Sequence, residues 1–207
     1  MVYYAKKNPQ SGFIWKPCKH KLGLHMSQPS SISRRIASCI NYAAAKDYEA
    51  AMINFFPALD KTAKKRRPKD GVGERIRHFV SDQEAIITAI ATGNILQNIS
   101  VNGISFPEAI YKFGRTPIAH EGELDPRLTF NNSGTLQIGE TWNLSSSYIT
   151  GLCVGVMVAP ENKQEFIDGP LGLTIFGRQF KINELWGAED LIKQVICDAF
   201  QNQNLFK

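Results

Sequence analysis

Apolar positions recur with helical spacing through most of the first 125 residues, then give way to shorter, alternating stretches. In "SISRRIASCINYAAA", Ile32, Ile36, Ile40 and Ala44 return every four residues, which predicts one buried face of a helix. Ser31 stands where a cap is needed. Asp47 is placed to cap a second helix, "YEAAMINFFPALDKTAKK". There Tyr48, Met52, Phe55, Leu59 and Thr62 form one face, and Ile53 and Phe56 widen it. A helix apolar over so much of its circumference belongs at the centre of a fold. Pro57 has no N–H to donate, so a bend is expected there. The two helices read as an αα-hairpin.

Further helices are predicted near 73–80 and 82–92, followed by a link or short extended stretch through "TGNILQNISVNG". Ser105 and Glu108 have capping-box spacing, and Pro107 suits the first turn of a helix that turns Phe106, Ile110 and Phe113 inward. After Pro126 the pattern changes. "LTFNNSGTLQI" predicts two short strands about an Asn-Asn-Ser-Gly turn, and "LTIFGRQFKI" a second hairpin. Between them "SSSYITGLCVGVMVA" predicts a buried helix starting near Ser146. Leu191, Ile192, Val195, Ile196 and Ala199 give the chain a final amphipathic helix. The expected class is therefore α+β and predominantly helical. It divides into a polar arm over 1–29, a helical bundle over 30–125, and a smaller α+β portion with short β-hairpins over 126–207, packed on the bundle rather than independent.

Composition narrows the class. The chain has 207 residues, 43% of them apolar and 21% charged, as in a globular protein. The longest apolar run, from Ile149, is too short to cross a bilayer, and the N-terminus lacks the apolar stretch of a secretory signal. No membrane association is expected, and a cytoplasmic location follows as the default. The formal charge of +5 permits an anionic partner without demonstrating one. Cysteines at 18, 39, 153 and 197 do not make a disulfide framework. Three of them sit in apolar surroundings, as small core residues do.

The stretch of greatest chemical interest is "GRTPIAHEGELDP", Gly114 to Pro126. On an ideal helix Arg115 and His120 lie about 140° apart. Pro117 disfavours helical geometry at Thr116 and interrupts the hydrogen-bond ladder. A kink there would let His120 turn towards Arg115. That pair suits metal-free cleavage of RNA: a neutral imidazole takes a proton from a ribose 2′-hydroxyl, and a guanidinium steadies the charge gathering on the phosphate. The bland alternative has His120 closing a helix C-terminus, where positive charge is favourable, and Arg115 paired with a carboxylate such as Glu121 or Glu123.

With its arginine and histidine separated by four residues at the end of a helix in a helical bundle, the stretch resembles the R-x4-6-H motif of HEPN domains (higher eukaryotes and prokaryotes nucleotide-binding). The resemblance covers about residues 30–125. It implies a homodimer and an RNA or nucleotide partner, with no cofactor and no metal. It further implies an endoribonuclease of a defence or toxin–antitoxin system, with Arg115 on phosphate, His120 as acid or base and Thr116 orienting the site. Asp60 and Lys64 loosely match an acidic residue followed four later by lysine in some family nucleases, which makes Asp60 an auxiliary candidate beside Glu121. Thr116 stands where active members often carry Asn, Asp or His. A non-catalytic dimerisation module and a silent nucleotide-binding member are the alternatives. Nothing in the pattern names a regulatory partner.

Two other features carry candidate chemistry. "KTAKKRRPK" gathers six basic residues in nine. Lys61, Lys64, Lys65, Arg66 and Arg67 are therefore candidates to follow an RNA backbone, although a charge run at a helix end is commonly a solvated face. Cys18, His20 and His25 are ligand types, but their spacing fits no common zinc module.

Overall fold

The protein's structure is a computed structural model that describes the backbone of residues 4–8 and 11–14 and all atoms of residues 28–206. Two strands, β1 (Tyr4–Asn8) and β2 (Ser11–Ile14), come first. Three long helices follow: α1 (Ser31–Ala44), α2 (Tyr48–Arg66) and α3 (Val72–Thr92). The α1–α2 hairpin forms as the spacing predicts. Asp47 caps α2 through the Ala50 N–H. Ser30, rather than Ser31, caps α1 by accepting from the Ile32 and Ser33 N–H groups. Pro57 lies inside α2 on its exposed side.

The two helices expected near 73–80 and 82–92 are one. Ser81 and Asp82 are exposed positions inside α3, so their polarity marks its solvent face instead of a break. At the far end of α3, the buried Glu84 carboxylate accepts the Asn98 and Ile99 N–H groups. The Thr88 hydroxyl donates to the Leu96 carbonyl and accepts the Leu96 N–H. Between them these side chains supply the hydrogen bonds that an irregular turn cannot make for itself. Burial pushes the Glu84 carboxyl above its ordinary range, against the opposing pull of those two N–H groups.

The small hairpin β3 (Ser100–Val101) and β4 (Ile104–Ser105) then leads into a helix made of α4 (Phe106–Ala109), a π-helical segment (Ile110–Arg115) and α5 (Thr116–His120). Ser105 caps it as expected.

The C-terminal portion opens with β5 (Leu128–Asn131), β6 (Gln137–Ile138) and β7 (Trp142–Ser145). The expected β5–β6 hairpin does not form. β7 lies between them, parallel to β5 and antiparallel to β6. Next comes α6 (Ser147–Val158), buried at every position from Tyr148 to Val158, as its unbroken apolar run predicts. Strands β8 (Gly172–Ile175) and β9 (Arg178–Lys181) form the predicted hairpin, turned at Phe176 and Gly177. Both have positive φ, the turn that matches strand twist. β1 adds to β8 in parallel, giving a sheet ordered β2-β1-β8-β9. The last helix is α7 (Glu189–Ala199), which buries Ile192, Val195 and Ile196.

The class is thus α+β and predominantly helical. One hydrophobic cluster joins Ile36, Phe55, Phe79, Phe113, Trp142, Leu152 and Ile196, so bundle and mixed portion share a core. Among the described residues no helix is long and apolar enough to cross a membrane. The candidate ligands Cys18, His20 and His25 lie outside the described residues. Among the described residues no group of three or more His, Cys, Asp or Glu side chains is placed to hold a metal ion.

Candidate functional site

The expected break at Pro117 does not occur. Thr116 is helical at φ −66° and ψ −51°, and the chain stays helical to His120. The π segment makes this possible. Its last N–H, on Thr116, reaches back five residues to the Tyr111 carbonyl, and the Thr116 hydroxyl joins it there at 3.1 Å. A proline in an α-helix deprives the carbonyl four residues earlier of its donor and crowds it. Here that carbonyl belongs to Phe113. The wider π turn gives the ring room, and the Asp125 N–H donates to the Phe113 oxygen at 3.0 Å. The helix ends at Gly122, whose φ of +84° reverses the chain. Leu124 then donates to Glu49 at the start of α2. Asp125 pairs with Arg127, which holds its carboxyl below the usual range, and the Arg127 guanidinium lies over the Phe113 ring.

Gly114 sets how closely this helix approaches α2. A Cβ there would come within 2.3 Å of the Phe56 ring and 3.1 Å of Leu128. Gly114→Ala is expected to cost about 1–3 kcal/mol through overpacking, less about 1 kcal/mol returned by helix propensity. A thermal melt should show a Tm lower by a few degrees. An unchanged or higher Tm would mean that this contact is looser than described.

The close approach brings Arg115 over Asp60 of α2, Nη2 to Oδ2 at 3.9 Å. Arg75 of α3 grips the same carboxylate through Nε at 2.8 Å and Nη2 at 2.6 Å, and also donates to the Asp70 carbonyl. Three helices therefore converge on two guanidinium groups sharing one carboxylate, with Arg115 and Asp60 each 25% exposed. The cluster carries a net positive charge. Arg75 spends its donors inward, while Arg115 makes only a long contact and keeps donors for solvent or a ligand. Arg75 is absent from any reading of local pattern, because nothing within α3 announces its partner on α2.

The other candidates are placed differently. His120 occupies the exposed last turn of α5. With the helix unbroken, α-helical spacing sets residues five apart about 140° from one another. Glu121 is exposed just beyond. The basic run divides. Lys61 donates to the Ser31 hydroxyl, and both Lys61 and Lys64 are exposed. Lys65 is turned onto Glu165, the Asn162 side chain and the Glu161 carbonyl. Arg66 lies among Glu161, Asp82 and Glu189, and Arg67 takes Asp82 with both arms of its fork. For these last three residues the carboxylates that neutralise the charge are the protein's own.

The fold and this cluster define an α+β, predominantly helical protein with an arginine-rich junction between helices. A model of the Rv1289 family matches residues 31–205, and the chain belongs to that family. Its relatives include the uncharacterized protein Rv1289 of Mycobacterium tuberculosis and the uncharacterized protein Mb1320 of Mycobacterium bovis. Each is 27% identical over 186 residues, covering 80% of this chain and 88% of the relative. No solved structure matches the chain. The relatives' names state no activity.

Proposed function

We propose that this chain is a HEPN-like RNA-binding protein whose phosphate contact is Arg115, held in place by Asp60 and Arg75. The observation that carries this reading is the two-guanidinium, one-carboxylate cluster. Its shared carboxylate orients Arg115 while leaving it donors, and a guanidinium fork fits a phosphate oxygen pair. Exposed Lys61 and Lys64 follow Asp60 on α2 by one and four residues and add positive field. Lys65, Arg66 and Arg67 are engaged within the fold and take no part.

The reading is of binding without cleavage by a single chain. Cleavage needs an imidazole beside the phosphate that the guanidinium holds, and along an unbroken α-helix residues five apart point about 140° from one another, which favours binding alone. The Thr116 hydroxyl, assigned by the family likeness to orient the site, is occupied with the Tyr111 carbonyl. The exposure of His120 favours a second reading, a metal-independent ribonuclease in which a homodimer sets one protomer's His120 against its partner's phosphate.

Affinity for single-stranded RNA, measured across a salt series, tests the first reading. A slope of about −0.7 in log affinity against log salt is expected for each phosphate contact, and binding that ignores salt would overturn it. The second reading is tested by incubating RNA with the protein and a chelator. Cyclic-phosphate ends that appear with wild type and vanish in both Arg115→Ala and His120→Ala would replace binding with cleavage. Intact RNA throughout would remove the nuclease.

A further inference from the structure

Cys39 on α1 and Cys153 on α6 meet in the core with their sulfurs 3.4 Å apart, although 114 positions separate them in the chain. They are 0% and 1% exposed. Each is the other's polar contact, and the bundle around them is otherwise apolar, with Ile36, Ile40, Leu152 and Val156 as neighbours in sequence and core. A disulfide bond is about 2.05 Å long, so closing the gap asks for a displacement of about 1.4 Å, shared between two helices. The remaining buried thiol, Cys197 on α7, has no such companion among the described residues. The phosphate-binding reading makes no use of this pair.

We propose that Cys39 and Cys153 form an oxidative modification site, a latent disulfide that locks α1 to α6 when a peroxide reaches the core. One sulfur attacks a peroxide oxygen and becomes a sulfenic acid, and the peroxide's other oxygen leaves as water with the thiol proton. The second sulfur then attacks the sulfenic sulfur, the S–S bond forms, and the sulfenic oxygen leaves as a second water with the second thiol proton. Two electrons pass from the thiol pair to the peroxide. The thiolate, not the thiol, is the nucleophile. Burial, and then the neighbouring sulfur, hold the Cys39 thiol well above its ordinary range. Reaction therefore waits on brief openings of the core, and the pair acts as a slow latch rather than a fast sensor. Once closed, the bond ties two distant points of the chain and reduces the freedom of the unfolded state.

The test is a peptide map of the full chain. Folded protein is treated with hydrogen peroxide, unfolded in iodoacetamide and digested. The expected result is a linked Cys39–Cys153 peptide pair, lighter by two hydrogen atoms than the free pair. A Tm several degrees above the reduced protein should accompany it and fall back with a thiol reductant. Cys39→Ala should lose both the link and the shift, while Cys197→Ala should keep them. Both cysteines alkylated after treatment, either one linked instead to Cys18 or Cys197, or a linked protein melting no higher than the reduced one, would each overturn the assignment. The wild-type map decides the matter even where Cys39→Ala fails to fold.

Discussion

Arg66→Ala is expected to destabilise the protein by about 1.5–3 kcal/mol, the cost of removing the charged donor from a half-buried ion network. The side chain is 16% exposed and ends α2 among acids from three other segments. Nε and Nη2 hold the Glu161 carboxylate at 2.8 and 3.1 Å, Nη1 holds Asp82 at 3.0 Å, and Nη2 touches Glu189 at 3.4 Å. The guanidinium also lies over the Phe79 ring, 4.6 Å from its centre. Arg67 and Lys193 keep Asp82 and Glu189 paired in the variant, so the uncompensated charge falls on Glu161. Thermal unfolding should drop by roughly 5 °C, and adding Glu161→Gln should return part of that loss. Arg66→Lys should also be destabilised, since a point charge cannot take a carboxylate in a fork and another from its third nitrogen.

The same network sets an acid limb. Burial alone would raise the Glu161 carboxyl, but the Arg66 hydrogen bonds outweigh it and hold the group below its ordinary value. Glu165 is held down in the same way against its burial, by Ser30, Ser33 and Lys65. A carboxyl lowered on folding stabilises the native state above its unfolded pKa and loses that contribution as pH falls through the folded one. Wild type should therefore weaken below about pH 4, and Arg66→Ala should show a shallower fall. Glu84 acts in the opposite sense, since a carboxyl raised by burial favours the folded state more as pH drops.

The second large effect is at Gly151 of α6. A Cβ there would lie 2.5 Å from the Ile87 carbonyl oxygen and 3.2 Å from its carbonyl carbon, both backbone atoms of α3. A backbone cannot swing aside as the Phe56 ring can at Gly114, so the two helices must separate and the buried faces of both loosen. Within a free helix Gly→Ala would stabilise by about 1 kcal/mol. Here the sign should reverse, with a net loss of about 3 kcal/mol or more, at the upper end of overpacking. Chemical denaturation of Gly151→Ala reads the sign directly, and a gain in stability would place α3 and α6 further apart than described.

Much of this architecture was legible because it is written in local pattern. The apolar run of α6 favours a buried helix over a buried strand by its length, "TIFGRQF" carries its own turn, and Ser105 and Asp47 announce helix starts within three residues of the groups they cap. What escaped depends on residues distant in sequence. Pro117 reads as a helix breaker until the Asp125 N–H is seen to satisfy the carbonyl it orphans. Asp82 reads as a helix start until Arg66 and Arg67 are found upon it. β5 and β6 read as a hairpin because nothing local says that β7 will come between them. The basic run misleads for the same reason: Glu161, Glu165 and Glu189, which neutralise it, lie about a hundred or more residues further on. Arg115 was legible as a candidate residue, but its support from Arg75 was not.

On the proposed reading Arg115, and not Lys65, Arg66 or Arg67 at the end of α2, contacts phosphate. The most direct test of this claim is the affinity of a labelled single-stranded RNA for wild type and for Arg115→Ala, at low salt and with both proteins shown to be folded. Losing a charge-assisted contact worth about 1.5–3 kcal/mol should raise Kd by roughly tenfold to a hundredfold. Equal affinity for the two proteins would contradict the claim.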